Sequence, residues 1–246
     1  MNVIESTALG KRYRRTWALR DCTLDIPGGH IVALVGPNGA GKTTLLTMAV
    51  GLTRPTEGGA TVLGGIPAGS PDALDGIAFV AQDAPLYRNL PVADMLRVAR
   101  SLNRRWDQRR ADDRLERLGI PPRQKVGELS GGQKAQLALT IALARRPGLL
   151  VLDEPLAALD PVARDDFMAS VVEAAREDDL SVVLSSHVLA ELERVATYLI
   201  VLARGQVQVA GSVKDLLAAH GAGLEEIALR HLRAGVPTRT GTDETR

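Results

Sequence analysis

The side chains best suited to chemistry fall into a few short groups. Residues 36–44 read Gly-Pro-Asn-Gly-Ala-Gly-Lys-Thr-Thr, the spacing G-x-x-x-x-G-K-[ST]. Gly36, Gly39 and Gly41, with Asn38 among them, let successive backbone N–H groups point inward at phosphate oxygens. Lys42 would reach the β- and γ-phosphates, Thr43 would place its hydroxyl on Mg²⁺, and Thr44 lies in the same first helical turn. Further along, Asp153 and Glu154 are adjacent carboxylates at the end of an apolar run. Such a pair repels itself and resists burial unless a cation or hydrogen bonds offset the cost. Asp153 suits a Mg²⁺ shell, and Glu154, pointing the other way, suits a base that orients an attacking water. Gln82, His187 and Tyr13 are single residues with two readings each. Gln82 begins a loop where open α/β sheets place ligands. His187 by itself reads first as a core or surface histidine and only second as a functional one. Tyr13 is either an amphipathic surface ring or a platform for a base.

The elements that must position these groups follow from periodicity. Five apolar residues, 31–35, read as a strand covered on both faces, and Leu45, Leu46, Met48 and Ala49 as the helix after the phosphate-binding loop. Buried strands are expected at 77–81, ending at Gln82, at 149–152, ending at Asp153, and at 181–185, followed by His187 and another helix. Asp160-Pro161 is an N-cap with a first-turn proline for a helix running to Arg176. Residues 3–8 and 22–26 alternate as half-buried strands, linked through basic Lys11, Arg12, Arg14 and Arg15. A short strand is expected at 60–63, and a hairpin at 198–210 turning on Arg204-Gly205. From Pro85 to about Lys125 the texture becomes helical, with arginines that most simply form a solvated outer face, and Pro121-Pro122 closes it. Ser212-x-x-Asp215 opens a last capped helix, and from Val236 the polar tail is expected to be disordered.

One more stretch resists a structural explanation. Leu129-Ser130-Gly131-Gly132-Gln133 opens a helix for which Ser130 is a good N-cap, but two glycines in the first turn cost helix propensity. Glycines at a helix N-terminus let the phosphates of another body approach the backbone.

Bulk properties narrow the class. Of 246 residues 45% are apolar and only 3% aromatic, so the core must be built from Leu, Val, Ile and Ala. Thirty basic against 29 acidic side chains leave a net charge of +1, without the electrostatic footprint of a nucleic-acid binder, and no nucleic-acid partner is expected. The single cysteine, Cys22, cannot form an internal disulfide and reads as a small core residue. The start of the chain has neither a signal nor an anchor pattern, and the apolar stretch 137–152 is broken by Arg145, Arg146 and Pro147. A soluble, cytoplasmic chain is the expectation.

In this order, the phosphate loop, Gln82, Leu-Ser-Gly-Gly-Gln at 129–133, Leu-Val-Leu-Asp-Glu-Pro at 150–155, Ala158-Leu159-Asp160 and His187 closely resemble the ATPase subunit of an ATP-binding cassette (ABC) transporter over about residues 1–220. The resemblance implies a P-loop NTPase α/β fold with a RecA-like, mostly parallel sheet. It adds an N-terminal antiparallel β subdomain, a helical insertion at about 84–135 and a short extension at 221–246. It implies two cassettes paired head to tail, a homodimer or a pair with a second ABC subunit, each closing over the other's ATP and Mg²⁺. Tyr13 would stack on adenine, and Gln82 would touch the Mg²⁺ and water site and relay its state to the insertion. Ser130 and Gly132, with Gly131 and Gln133 beside them, would meet the γ-phosphate across the dimer. Asp160 would contact the opposite cassette, and His187 would sense the γ-phosphate. A membrane-spanning permease would hold the chain to the cytoplasmic face of the membrane. Two departures stand out: Lys134-Ala135-Gln136 where the family is often basic, and Ala157-Ala158 for a commoner Ser-Ala. Leu224-Glu225-Glu226-Ile227 resembles a C-terminal motif of bacterial drug- and lipid-exporting members, which favours export over import. The competing readings are a soluble cassette ATPase acting on nucleic acid or ribosomes, whose relatives usually carry tandem cassettes, long coiled coils or zinc-ligand cysteines, and a cassette that binds ATP without hydrolysing it.

Overall fold

The computed structural model describes residues 1–83 and 85–234. The tail expected to be disordered lies outside the described residues. An N-terminal sheet of four antiparallel strands has the order β2-β1-β4-β5, from β1 (Asn2–Tyr13), β2 (Thr16–Pro27), β4 (Glu57–Val62) and β5 (Ile66–Pro67). The basic stretch is therefore not a linker: Lys11 and Arg12 belong to the long strand β1, and only Arg14-Arg15 form the turn into β2. Arg14 sits at φ 54°, as a tight two-residue hairpin turn requires.

The second sheet has six strands in the order β10-β9-β3-β8-β7-β6. β3 (Ile31–Val35), β6 (Ile77–Val80), β7 (Leu149–Asp153), β8 (Ser181–Ser186) and β9 (Tyr198–Ala203) are parallel, and β10 (Gln206–Ser212) returns antiparallel beside β9. The parallel strands are buried on both faces, which is why they read as unbroken apolar runs. On one face Val32, Leu34, Val151 and Val183 pack with Leu45, Leu46 and Met48 of α1 (Lys42–Ala49), and that helix also meets Leu9, Leu19, Cys22 and Leu24 of the first sheet. On the other face Ala33, Val35, Leu150, Leu152 and Leu184 pack against α5 (Gly131–Ala144), α6 (Pro161–Glu177) and α8 (Leu224–Ala234). Because these strands run the same way, the loops after β3, β6, β7 and β8 all leave at one edge.

Between β6 and α5 lie α3 (Val92–Leu102) and α4 (Gln108–Arg117). They have a small core of their own, in which Val92, Leu96, Ala111, Leu115 and Ile120 meet Leu137 and Ala144 of α5. The arginines here do not all form a solvated face. Arg114 is 4% exposed, its Nε donating to Thr140 Oγ1 and its guanidinium to Gln136 Oε1, both at 3.4 Å. Burial pushes its pKa down to about 10. Arg110 pairs with Asp178, the C-cap of α6, and Arg146 bridges Asp178 and Asp107. Gln136, one of the departures from the family pattern, also donates to Ser170 of α6 at 3.2 Å. These side chains tie α4 to α5 and α6.

Two further differences concern the end of the chain. His187 is followed by a single 3-10 turn, Leu189–Glu191, rather than a full helix. Leu224 and Ile227 are buried in the main core while Glu225 and Glu226 are exposed in the first turn of α8. An amphipathic helix start with acids at its positive end explains that tetrad without a functional motif.

Candidate nucleotide-binding and hydrolysis site

The loop 36–41 is shaped by two glycines that nothing else could replace. A Cβ on Gly36 would lie 2.2 Å from the Leu202 carbonyl oxygen of β9. Gly41 combines φ +106° with a would-be Cβ 2.5 Å from the Ala18 carbonyl oxygen of β2. The loop is buttressed from both sheets through one residue: Gly205 N–H donates to Ala40 O at 2.9 Å and Gly205 O accepts from Arg20 N–H at 2.9 Å. Gly41 caps α1 with no side-chain hydrogen bond, so the first N–H groups of the helix meet no side chain of their own. Asn38, Gly39 and Thr43 are exposed and Thr44 is half-buried.

Lys42 is 6% exposed. Its Nζ donates to Gly36 O at 2.7 Å and forms an ion pair with Glu154 Oε1 at 3.1 Å. Glu154 Oε2 lies 2.8 Å from His187 Nδ1. Lys42, Glu154 and His187 thus come together from the ends of β3, β7 and β8. Burial pushes the Glu154 carboxyl pKa up, but hydrogen bonds and charge from His187 and Lys42 outweigh it and hold the group below its ordinary value. Glu154 takes this position at φ +48°, a left-handed backbone conformation.

Asp153 is 3% exposed and points away from this trio, accepting a hydrogen bond from Ser185 Oγ at 2.6 Å. No basic side chain pairs with it among the described ion pairs. Among the described residues no three His, Cys, Asp or Glu side chains cluster to hold a metal. One buried carboxylate and one exposed threonine hydroxyl are a donor set that fits Mg²⁺, which takes few protein ligands and completes its shell with phosphates and water.

The remaining predicted residues stand apart from the trio. Ser130, Gly132, Gln133 and Asp160 line a cleft of about 520 Å³ with Arg117 and Gln136, a cleft that includes none of Lys42, Glu154 and His187. Ser130 caps α5 in a full capping box: its Oγ accepts from Gln133 N–H at 3.1 Å, and Gln133 Oε1 accepts from Ser130 N–H at 3.0 Å. One of the two glycines has a structural reason after all. A Cβ on Gly132 would meet Ala163 Cβ of α6 at 2.9 Å, whereas Gly131 has only the Ala158 oxygen at 3.7 Å. Asp160 Oδ1 accepts from Ala163 N–H at 2.9 Å as the N-cap of α6. Exposed Gln82 lines a second cavity, about 290 Å³, with Gly131, Pro155 and Ala158. Tyr13, half exposed on the last residue of β1, has Lys11 Nζ 5.2 Å from its ring centroid. A further groove, about 710 Å³, runs along α6 past Met168 and Arg194 and touches none of these groups.

Two contacts were not foreseen. Ser185 joins Asp153 to Glu154, its Oγ also accepting the Glu154 N–H at 2.9 Å. Arg164 donates to Leu159 O at 2.9 Å and pairs with Glu191, which also accepts from Ser186 Oγ, so the loop before α6 is tied to the segment around His187. The one signal in the sequence was a buried strand ending in two serines.

Comparison with known proteins agrees with this geometry. The family described as ABC transporter matches residues 19–157. The phosphonates import ATP-binding protein of Haloquadratum walsbyi is 37% identical over 70% of this chain and 60% of its own length. The molybdenum import ATP-binding protein of Rhodobacter capsulatus is 35% identical over 80% of this chain and 56% of its own. The chain thus spans little more than half the length of these two. The thiamine import ATP-binding protein of a Chelativorans species is 30% identical, with 89% of this chain and 91% of that protein covered. Among solved structures, an ATP-binding subunit of an ABC transporter superposes with a TM-score of 0.81 at 28% identity, over 93% of this chain and 99% of that one. A dimeric cassette in a post-hydrolysis state with ADP and Pi superposes with a TM-score of 0.75 at 26% identity, over 85% of this chain and 98% of that one. The chain belongs to the ABC transporter family.

Proposed function

We propose that this chain hydrolyses ATP with Mg²⁺ in a head-to-tail dimer and so drives a separate membrane-spanning permease. The observation that carries the reading is the meeting of Lys42, Glu154 and His187 at the carboxyl ends of three parallel strands, beside the phosphate loop. Phosphoryl transfer to water asks the protein chiefly for positioning and charge neutralisation. The backbone N–H groups of 36–44 cradle the phosphates, and Lys42 exchanges its pairing with Glu154 for the β- and γ-phosphates. Glu154, then freed, orients the attacking water and accepts its proton. His187 steadies Glu154 through Nδ1 and would sense the γ-phosphate through its other ring nitrogen. Thr43 and Asp153 would hold Mg²⁺, with Gln82 beside them, and the ion would supply charge neutralisation for the phosphates. Tyr13 offers its ring to the base.

The second half of each site comes from the other cassette. Ser130, Gly131 and Gly132, with Gln133 and Asp160 beside them, close over the γ-phosphate of the partner, a reading supported by the cleft that Ser130, Gly132, Gln133 and Asp160 line without any of the chain's own trio and by the dimeric relative bound to ADP and Pi. We read the chain as one nucleotide-binding domain over about 1–220 with a helical insertion at about 84–135, a division supported by the separate apolar cluster of α3 and α4. The permease docks beside the Gln82 loop and the insertion, where Pro85, Leu86, Met95 and Ile141 line an apolar groove. No helix among the described residues is long and apolar enough to cross a membrane, so attachment to the cytoplasmic face falls to that partner.

For direction, import is the better supported. The curated relatives named above are import proteins, and packing of α8 accounts for the tetrad on which export rested. The test is to capture the Glu154→Gln protein with ATP from native membranes. Recovery of a multi-span permease is expected, and sequencing it gives the cargo and the direction; recovery only of ribosomes, nucleic acid or soluble protein overturns the transport reading.

A further inference from the structure

Ser185 is the penultimate residue of the buried strand β8, directly opposite Asp153, and is 1% exposed. Its hydroxyl is fully committed: the O–H donates to Asp153 Oδ1 at 2.6 Å, and a lone pair accepts the Glu154 N–H at 2.9 Å. These two bonds act on different problems. The first fixes the rotamer of a buried carboxylate that forms no ion pair among the described residues. The second holds the left-handed turn at Glu154, φ +48°, which aims that side chain at Lys42 and His187 instead of continuing the strand. A buried serine can do both because a hydroxyl is donor and acceptor at once. Its neighbour cannot substitute: Ser186 Oγ donates to Val188 O and Glu191 and accepts Val188 N–H.

We propose that Ser185 is a positioning residue for the hydrolytic centre, setting the metal-facing carboxylate and the water-orienting carboxylate through one hydroxyl. The proposal rests on the roles given above to Asp153 and Glu154. It reaches beyond them because Ser185 itself touches neither substrate nor metal.

Threonine and valine at this position have the same shape and differ only in the hydroxyl, so Ser185→Thr against Ser185→Val isolates it, and Ser185→Ala removes it without added bulk. ATP turnover is measured on each. Mn²⁺ affinity is then measured by electron paramagnetic resonance on each change in a Glu154→Gln background loaded with ATP. The expected result is a kcat about 10–100-fold lower for Val and Ala with KM for ATP within about threefold, and Mn²⁺ binding about tenfold weaker, while Thr stays within about threefold of the parent in both. Ala matching the parent in kcat and Mn²⁺ affinity, or Thr losing as much as Val in both, overturns the proposal. If Glu154→Gln alone hydrolyses ATP at the parental rate, it is the role of Glu154 that falls, and the Mn²⁺ titration, which needs only Asp153, still judges Ser185.

Discussion

Helix α1 starts behind a glycine cap and α5 starts on a glycine, each beside a candidate phosphate contact, yet their first turns are built in opposite ways. Gly41 caps α1 with no side-chain hydrogen bond and is locked in place by backbone from both sheets. Ser130 caps α5 with a complete capping box, and its neighbour Gly131 has room for a Cβ, with only the Ala158 oxygen at ordinary contact distance. The first turn of α1 leaves its N–H groups to a ligand and draws rigidity from the sheets around it. The first turn of α5 satisfies itself and keeps only a hydroxyl proton and a bare backbone for whatever docks against it. The difference suits a site in which one chain holds the nucleotide and another arrives to close it.

The largest effect should come from within the α1 half. Glu154→Gln is expected to lower ATP turnover about 10²–10⁴-fold while leaving ATP binding by the single chain intact, as measured by steady-state hydrolysis and nucleotide titration. Gly41→Ala should destroy the loop itself, since the new Cβ meets both a strained φ and the Ala18 carbonyl; unfolding should be easier by about 1–3 kcal/mol or more and ATP binding lost. Ser130→Ala should cost about 1 kcal/mol in thermal or denaturant unfolding, because a cap is removed, and should weaken ATP-driven association more than ATP binding. Equal damage to both would make Ser130 a helix cap and nothing else. Gly131→Ala sharpens the contrast most: unfolding should change by less than about 1 kcal/mol, since 3.7 Å to Ala158 O is ordinary contact, while association falls. A Gly131→Ala protein that associates normally would remove the need for a bare backbone at α5.

The smallest effect is in acid. Glu154 is held below its ordinary value of 4.5, so its contribution to stability is complete above that pH and is lost as the pH falls through the lower value of the folded state. Glu154→Gln should therefore flatten the acid part of the stability profile between about pH 5 and pH 3, read by denaturant midpoints across that range.

Much of the α1 half could be read from residue order, because there burial and chemistry coincide locally. An apolar strand, a glycine loop, a lysine and a following helix are adjacent in the chain, and paired carboxylates after a second apolar strand mark the same sheet edge. The long-range contacts could not be read that way. Ser185 gains its meaning only when β8 pairs with β7, and two terminal serines on an apolar strand look like a strand fraying into a loop. Arg114 was taken for a solvated residue because its helix is highly charged, and only the packing of α4 on α5 buries it. Gly132 carried an interfacial reading because the Ala163 methyl it accommodates lies on another helix. The tetrad at 224–227 was read as a motif in one dimension, and its division into buried Leu224 and Ile227 and exposed Glu225 and Glu226 is visible only in three.

The most direct measurement of the shared site mixes two disabled proteins, both carrying Glu154→Gln to trap the closed form. One adds Lys42→Ala, which removes its own phosphate grip; the other adds Ser130→Asp, which still caps α5 but sets a negative charge toward the partner's phosphate. Each alone should remain at the mass of a single 26.2 kDa chain in ATP and Mg²⁺ by light scattering, and the mixture, which rebuilds one intact half-and-half site, should form a dimer. A mixture that stays monomeric while the Glu154→Gln parent dimerises, or a Ser130→Asp protein that dimerises on its own, would contradict a nucleotide shared between α1 of one chain and α5 of the other.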